Sequence, residues 1–271
     1  MVITPSTPPL GLHLAATSVV TGLAMLERRV EHPEATIICV HGGLDRGGSF
    51  ARLARRTERF DVVAYDRRGY QGSRDLQPLS LALHIEDLLA IMRSESARTP
   101  VILVGHSFGG VIALGAALAE PPLSQLNFVY ETPLPWILKR ESSRAPLSDD
   151  AGVEVERFFR RMVSNSAWER LSEREQQSRQ LDGPALLSDL KGLHEGVTPF
   201  DISQLTTPTT YLYGDGLIHD YYVALCAEIS RINPSIECRK LENAPHGAHL
   251  AIPDQLAALI EVEWQDVCAS R

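Results

Sequence analysis

An α/β fold, built on a mostly parallel and doubly wound sheet, is the class this chain predicts, and three observations carry it. Short β-branched and apolar runs alternate with longer helix-like segments from Thr36 onward. Several of those runs are apolar at nearly every position, as strands buried on both faces must be. The alternation breaks once, from Pro133 to about Gln204, where no convincing strand occurs.

The leading segments, Leu10–Ala16 and Leu23–Val30, have no helix between them. They are expected to pair as an antiparallel edge. Strands follow at Thr36–Val40, Phe60–Tyr65, Pro100–Val104, Asn127–Tyr130, Thr209–Tyr213 and Ser235–Leu241. Helices are expected at Ser49–Arg59, Ser80–Ser94, Phe108–Ala119, Tyr221–Ile232 and Pro253–Val267. Pro253 suits a first helical turn, where its missing N–H is not needed.

The strandless stretch is rich in charge, and Val155, Phe158, Phe159 and Met162 recur at helical spacing. It reads as a helical cap over the C-terminal edge of the sheet, where open α/β folds bind ligands. The expected division is a core of residues 1–132 and 205–271 and a cap of residues 133–204. Trp136, Phe159 and Met162 are the candidate substrate-binding side chains there. The plainer reading of the aromatic stripe is packing against the core.

Composition narrows the classes. The chain has 271 residues, with 26 Lys plus Arg against 34 Asp plus Glu, a net charge of −8. That balance argues against nucleic acid as a partner. With 44% apolar and 22% charged residues, the chain is an ordinary globular one. Its four cysteines form no CxxC pair and no zinc-finger spacing, so reduced thiols in a cytoplasmic protein are expected. Leu10–Leu26 is fairly apolar but lacks a basic leader and is interrupted by polar residues. Neither a signal peptide nor a membrane partner is expected from it.

The sharpest local signal is Gly105-His106-Ser107-Phe108-Gly109-Gly110, set between the strand ending at Val104 and the helix-like run from Val111. G-x-S-x-G in that setting is a nucleophile turn. The chain must turn sharply, and Gly105 and Gly109 allow close backbone approach. The helix N-terminus behind Ser107 favours a developing negative charge.

On these residues the chain resembles the α/β-hydrolase superfamily. His41-Gly42-Gly43, after the strand Thr36–Val40, is similar to the family's oxyanion loop. Asp66-Arg67-Arg68-Gly69-Tyr70-Gln71-Gly72-Ser73 resembles its D-x-R-G-x-G-x-S loop. The resemblance implies a serine hydrolase with Ser107 as nucleophile and His246 as base, with His249 as the rival histidine. A serine needs such a base and a third group to orient it. His106, beside Ser107, reads as a packed structural histidine.

The acid departs from the family's usual pattern. The common position, three residues after Gly214, is Leu217, which cannot orient an imidazolium. Some superfamily members carry the acid after the preceding strand, and Glu131 stands there. Glu131 is the first candidate, with Asp215 and Asp220 still open. The oxyanion hole is expected from the N–H groups of Phe108 and Gly43, each worth about 3 kcal/mol in such sites. Leu44 replaces Gly43 if the loop runs one residue longer.

Asp66 and the arginines after it are expected to stabilise loops. Arg46, Arg52, Arg55, Arg56 and Arg59 read as a solvated helix face. The resemblance implies cleavage of a small or medium carboxylic ester through an acyl-enzyme, with no metal and no organic cofactor. A lyase, a perhydrolase, a C–C bond hydrolase or a low-turnover ligand-binding protein could use the same residues. The partner is a small-molecule substrate, and a homodimer stays open.

Overall fold

The structure is a computed structural model that describes residues 11–77, 79–139, 147–193, 198–216 and 218–270. Leu217 and the first residue of the leading strand, Leu10, lie outside the described residues.

Eight described strands form one sheet: β1 (His13–Leu14), β2 (Met25–Arg28), β3 (Thr36–Val40), β4 (Asp61–Tyr65), β5 (Val101–His106), β6 (Leu126–Tyr130), β7 (Thr209–Tyr213) and β8 (Ile236–Lys240). Their spatial order is β1-β2-β4-β3-β5-β6-β7-β8. The pairs β1–β2 and β2–β4 are antiparallel, and every other pair is parallel.

The continuous apolar character of the central strands follows from their position. Ile38 and Val40 of β3 pack with Leu88 and Ile91 of α2 (Leu81–Ser96), Ile112 of α3 (Phe108–Ala119) and Leu225 of α8 (His219–Ile232). Ile37 and Cys39 face the opposite layer, with Leu53 of α1 (Ala51–Ala54) and Leu256, Ile260 and Trp264 of α10 (Pro253–Ala269). Burial of each such side chain contributes roughly 1.5–3 kcal/mol. At the far edge, β8 turns Glu237, Arg239 and Lys240 toward solvent, which guards an open edge against further pairing.

Several expected strands are trimmed at their ends, Leu23–Val30 to Met25–Arg28 among them, and two elements shrink further. The leading strand is reduced to His13–Leu14, both exposed. The helix expected at Ser49–Arg59 is only a 3₁₀ turn, Gly47–Phe50, followed by α1. Thr57 Oγ1 donates back to Leu53 O at 3.2 Å, and the Arg28 guanidinium takes Thr57 O and Phe60 O at 2.6 Å each. Those bonds satisfy carbonyls that a longer helix would have used, and the chain turns into β4.

Between β6 and β7 the described cap consists of α4 (Ala151–Met162), α5 (Asn165–Glu169), α6 (Glu173–Gln180) and α7 (Gly183–Gly192). Asp150 caps α4 by accepting from the N–H groups of Gly152 and Val153. Ser172 and Glu175 form a reciprocal capping box on α6. Val155, Phe159, Trp168, Leu186 and Leu190 build an apolar cluster shared with Leu44 and Tyr70 of the core loops. The cap therefore docks by completing its own core with core-loop side chains. No helix among the described residues is long and apolar enough to cross a membrane.

The turn after β5 shows how little room the fold leaves. A Cβ on Gly109 would sit 2.1 Å from Val40 O, a backbone atom of β3 that cannot yield. One on Gly48 would meet nothing closer than 4.0 Å. Urea denaturation should therefore find Gly109→Ala destabilised by at least about 3 kcal/mol or not folded. Gly48→Ala should fall within about 0.5 kcal/mol of the parent.

Candidate active site

Ser107 sits at the tip between β5 and α3, with φ 53° and ψ −124°. That left-handed region is strained for a residue with a Cβ, at roughly 1–3 kcal/mol. Surrounding bonds hold it: Ser107 N–H donates to Tyr130 O at 2.9 Å, and Gly110 N–H donates to Ser107 O at 2.9 Å. A Cβ on Gly105 would meet Gly110 Cα at 2.6 Å, so the elbow closes only over glycine. Ser107 remains half-buried rather than sealed.

Glu131 occupies the corresponding turn after β6. It is fully buried and also has positive φ, 44°. Its N–H donates to Leu212 O at 2.8 Å, prolonging the β6–β7 pairing by one bond. The carboxylate then reaches across to His246, with 2.5 Å between Oε2 and Nδ1. Oε1 accepts the Gly214 N–H at 3.1 Å, with Tyr130 Oη 3.4 Å away. Tyr130 Oη donates its proton to the nearer Pro245 O at 2.7 Å and so ties down the loop that carries His246. His246 in turn lies beside the residue preceding Ser107: its ring centroid is 4.7 Å from that of His106.

The other two candidate carboxylates are placed differently. Asp215 pairs with Lys240 Nζ at 2.7 Å and accepts the Asn243 N–H at 2.7 Å. The Lys240 ammonium, chiefly, holds its carboxyl below the ordinary range. Asp220 is exposed in the first turn of α8. His249 stacks on Phe50, with ring centroids 4.4 Å apart, and its Nε2 is 3.3 Å from Asp45.

Gly43 lies under the cap. A Cβ there would meet Leu186 Cδ1 at 3.1 Å and Phe158 Cζ at 3.5 Å. Gly42 is pressed against the elbow, its notional Cβ 2.9 Å from Ser107 Cβ. Phe108 opens α3, so its N–H has no helical acceptor of its own. Leu44 has φ 54° and packs into the cap cluster.

The candidate substrate-binding residues separate. Phe159 is turned into the cap's own core, against Trp168 at 5.3 Å and beneath the Arg179 guanidinium at 4.9 Å. Its neighbour Phe158 is the ring beside Gly43, one helical step away. Trp136 packs edge-on to Phe200 at 5.2 Å beside the main core. Met162 is half-buried in the last turn of α4.

Residues 37–259 match the alpha/beta hydrolase family. The chain belongs to that family. Lipase LipV of Mycobacterium tuberculosis is 31% identical over 87 residues, which is 32% of this chain and 33% of the lipase. The chain thus aligns with about a third of that relative's length. The pimeloyl-(acyl-carrier protein) methyl ester esterase of Stenotrophomonas maltophilia is 26% identical over 244 residues, covering 83% of this chain and 91% of the esterase. The structure of a thermophilic esterase from Thermogutta terrifontis shares the hydrolase fold, with TM-score 0.66 at 17% identity over 97% of this chain and 99% of that one.

Within this family member, a buried network joins the cap to the loop under Gly43. The fully buried Arg67 donates from Nε to His41 O at 2.9 Å and from a terminal nitrogen to Gly42 O at 3.2 Å. The same guanidinium pairs with Asp189 of α7 at 2.6 Å, and Tyr70 Oη donates to that carboxylate at 2.7 Å. Burial opposes ionisation of Asp189, but Arg67 and His84 outweigh it and hold the carboxyl below its usual range. The sequence points to Arg67 as a loop stabiliser and gives Asp189 no prominence. The available signal was a carboxylate placed between Leu186 and Leu190 on the apolar face of a helix.

His41 is buried and neutral. Burial first, and then Arg67, push its imidazole from 6.5 down to about 3. Its Nε2 accepts the Arg67 N–H at 2.9 Å, which assigns the proton to Nδ1, 2.7 Å from Gly42 O. His84 is likewise lowered, mainly by burial.

Two outcomes follow from this network. Asp189→Asn leaves Arg67 as a buried charge without its partner, and chemical denaturation should show a loss of about 3–5 kcal/mol. For His41 the unfolded chain takes up a proton near pH 6.5 and the folded chain only near pH 3. Stability is therefore lost as pH falls through that window, because the unfolded state binds more protons there. Calorimetric Tm should decline steadily from pH 7.5 to 4.5, and less so in His41→Asn. An unchanged Tm down to pH 5 would contradict a buried neutral His41.

Proposed function

We propose that this chain is a carboxylic ester hydrolase that works through an acyl-enzyme on Ser107. The contact that carries the reading is Glu131 Oε2 to His246 Nδ1, made by a fully buried carboxylate beside the strained serine turn. A serine hydroxyl is almost wholly protonated at neutral pH and needs a base that is itself oriented. Glu131 keeps the His246 proton on Nδ1, so Nε2 carries the lone pair for the Ser107 proton.

In the reaction, Ser107 Oγ attacks the ester carbonyl while His246 takes its proton. Glu131 stabilises the imidazolium so formed, without itself being protonated. The N–H groups of Phe108 and Gly43 hold the negative oxygen of the tetrahedral intermediate. His246 then passes the proton to the departing alkoxide, and an alcohol leaves. Water, activated by the same histidine, attacks the acyl-enzyme and releases the acid. Phe158 and Leu186, close against Gly43, supply an apolar wall for a small or medium acyl chain. The relatives named as a lipase and as a methyl ester esterase support the same substrate class.

The test combines labelling and kinetics. A fluorophosphonate should add once to the wild type and not to Ser107→Ala, read as intact mass. With short p-nitrophenyl esters, Glu131→Gln should lower kcat at least about 100-fold, by analogy with loss of the acid from such triads. Asp215→Asn should cost under about 10-fold, since Asp215 is tied to Lys240 and Asn243. The reverse ranking would move the acid to the Asp215 loop. A folded wild type that takes no label would overturn the serine mechanism.

A further inference from the structure

A second polar cluster adjoins the proposed catalytic residues and takes no part in the ester chemistry above. Asp45 follows the His41–Gly43 loop, His106 ends β5, and His249 lies in the short helix α9 (Ala248–Ala251). One donor atom from each lies within 4.8 Å of the others. Asp45 Oδ2 is 3.3 Å from His249 Nε2 and 3.9 Å from His106 Nδ1.

The second observation is His106 itself. It is only 8% exposed, and its buried ring nitrogens, which interact only loosely with the His246 backbone, make no well-formed hydrogen bond among the described residues. A buried imidazole ordinarily satisfies at least one nitrogen, because an unpaired buried polar group costs free energy. Here Nδ1 points to within 3.9 Å of a carboxylate yet makes no hydrogen bond to it. The ring is set at 4.7 Å from that of His249. Phe50 braces His249 from the other side, and Ser49 Oγ donates to Asp45 Oδ2 at 3.0 Å.

We infer that Asp45, His106 and His249 form a binding site for a divalent cation of the zinc class. Two imidazoles and one carboxylate are donors that such an ion takes, and tetrahedral bonds of about 2.0–2.2 Å place donor atoms roughly 3.4 Å apart. Asp45 stands 3.3 and 3.9 Å from the two imidazoles, and all three donors lie within 4.8 Å of one another, so side-chain rotation that draws the histidines together, and His249 Nε2 away from Ser49 Oγ, closes the site. A bound ion gives the idle His106 nitrogen its partner. The Ser49 hydroxyl, donating to the Asp45 carboxylate, keeps it oriented, and water completes the coordination. Because the ligands come from the loop after β3, the serine elbow and the loop after β8, the ion clasps together the segments that carry Gly43, Ser107 and His246.

The test is direct and uses no activity, so it stands apart from the ester reading. Chelator-stripped wild type dialysed against Zn²⁺ should hold one ion per chain by elemental analysis. At a hundredfold excess over Kd, Tm should rise by about 5 °C. X-ray absorption at the zinc edge should show two imidazoles and oxygen donors. His249→Phe keeps the stacking on Phe50 but removes a ligand, and should weaken binding at least 10-fold. His32→Ala, on the exposed surface, should bind as the parent does. Substoichiometric zinc, a zinc environment without two imidazoles, or unchanged binding in His249→Phe would each overturn the site. Should His249→Phe fail to fold, the wild-type absorption spectrum decides the matter.

Discussion

The buried guanidinium of Arg67 is the joint between the two parts of this protein. It takes carbonyls from the loop beneath Gly43 with some of its donors and the Asp189 carboxylate of α7 with the rest. A guanidinium suits this task because its planar fork can serve several acceptors in fixed directions at once. The pair need not add much net stability, since both charges are removed from water. What it does is specify: with Arg67 set by His41 and Gly42, Asp189 has one satisfactory place. The apolar cluster around Phe159 and Leu186 then has a defined register over Gly43. Arg74 and Gln71 repeat the device at Asp182, at the start of the same helix.

The placement of Glu131 depends on a different constraint, close approach of backbones at the C-terminal edge of the sheet. Gly214 lies where a Cβ would be 2.1 Å from Ala244 O and 2.3 Å from Tyr130 Oη. That tight contact lets the Gly214 N–H reach Glu131 Oε1 and leaves Oε2 for His246. Two of the non-glycine residues with positive φ, Ser107 and Glu131, stand at the ends of adjacent strands β5 and β6, and the Ser107 N–H bonds to the carbonyl of Tyr130, the residue before Glu131. Strain kept at two neighbouring turns is compatible with a rigid arrangement, because the packed strands beneath leave neither turn an alternative path.

Much of the architecture was legible because its signals are local. Continuous apolar runs mark strands covered on both sides, and the six strands of the main body appear within a residue or two of their expected limits. Glycines at 105 and 109 announced the elbow because no other residue fits its contacts. Where the reading failed, the competing interaction was distant in sequence. The helix expected after Ser49 is cut short by bonds from Arg28, about thirty residues earlier. Helical spacing showed that α4 has an apolar face but not which neighbour lies at its centre. Phe159 went inward and Phe158 went to Gly43, a difference of one step in helical phase.

The sequence by itself determined the fold class, the serine turn, the histidine loop and a short set of acids, since each is carried by residue types at fixed spacing. Only the tertiary structure shows which of those carboxylates meets His246, and the one in contact is Glu131. Glu131 and His246 are 115 residues apart and Arg67 and Asp189 are 122 apart, so no local pattern relates them. The grouping of Asp45, His106 and His249 is of the same kind. Such contacts arise where strand ends from one sheet converge, and the sheet order that brings them together is a property of the packed chain.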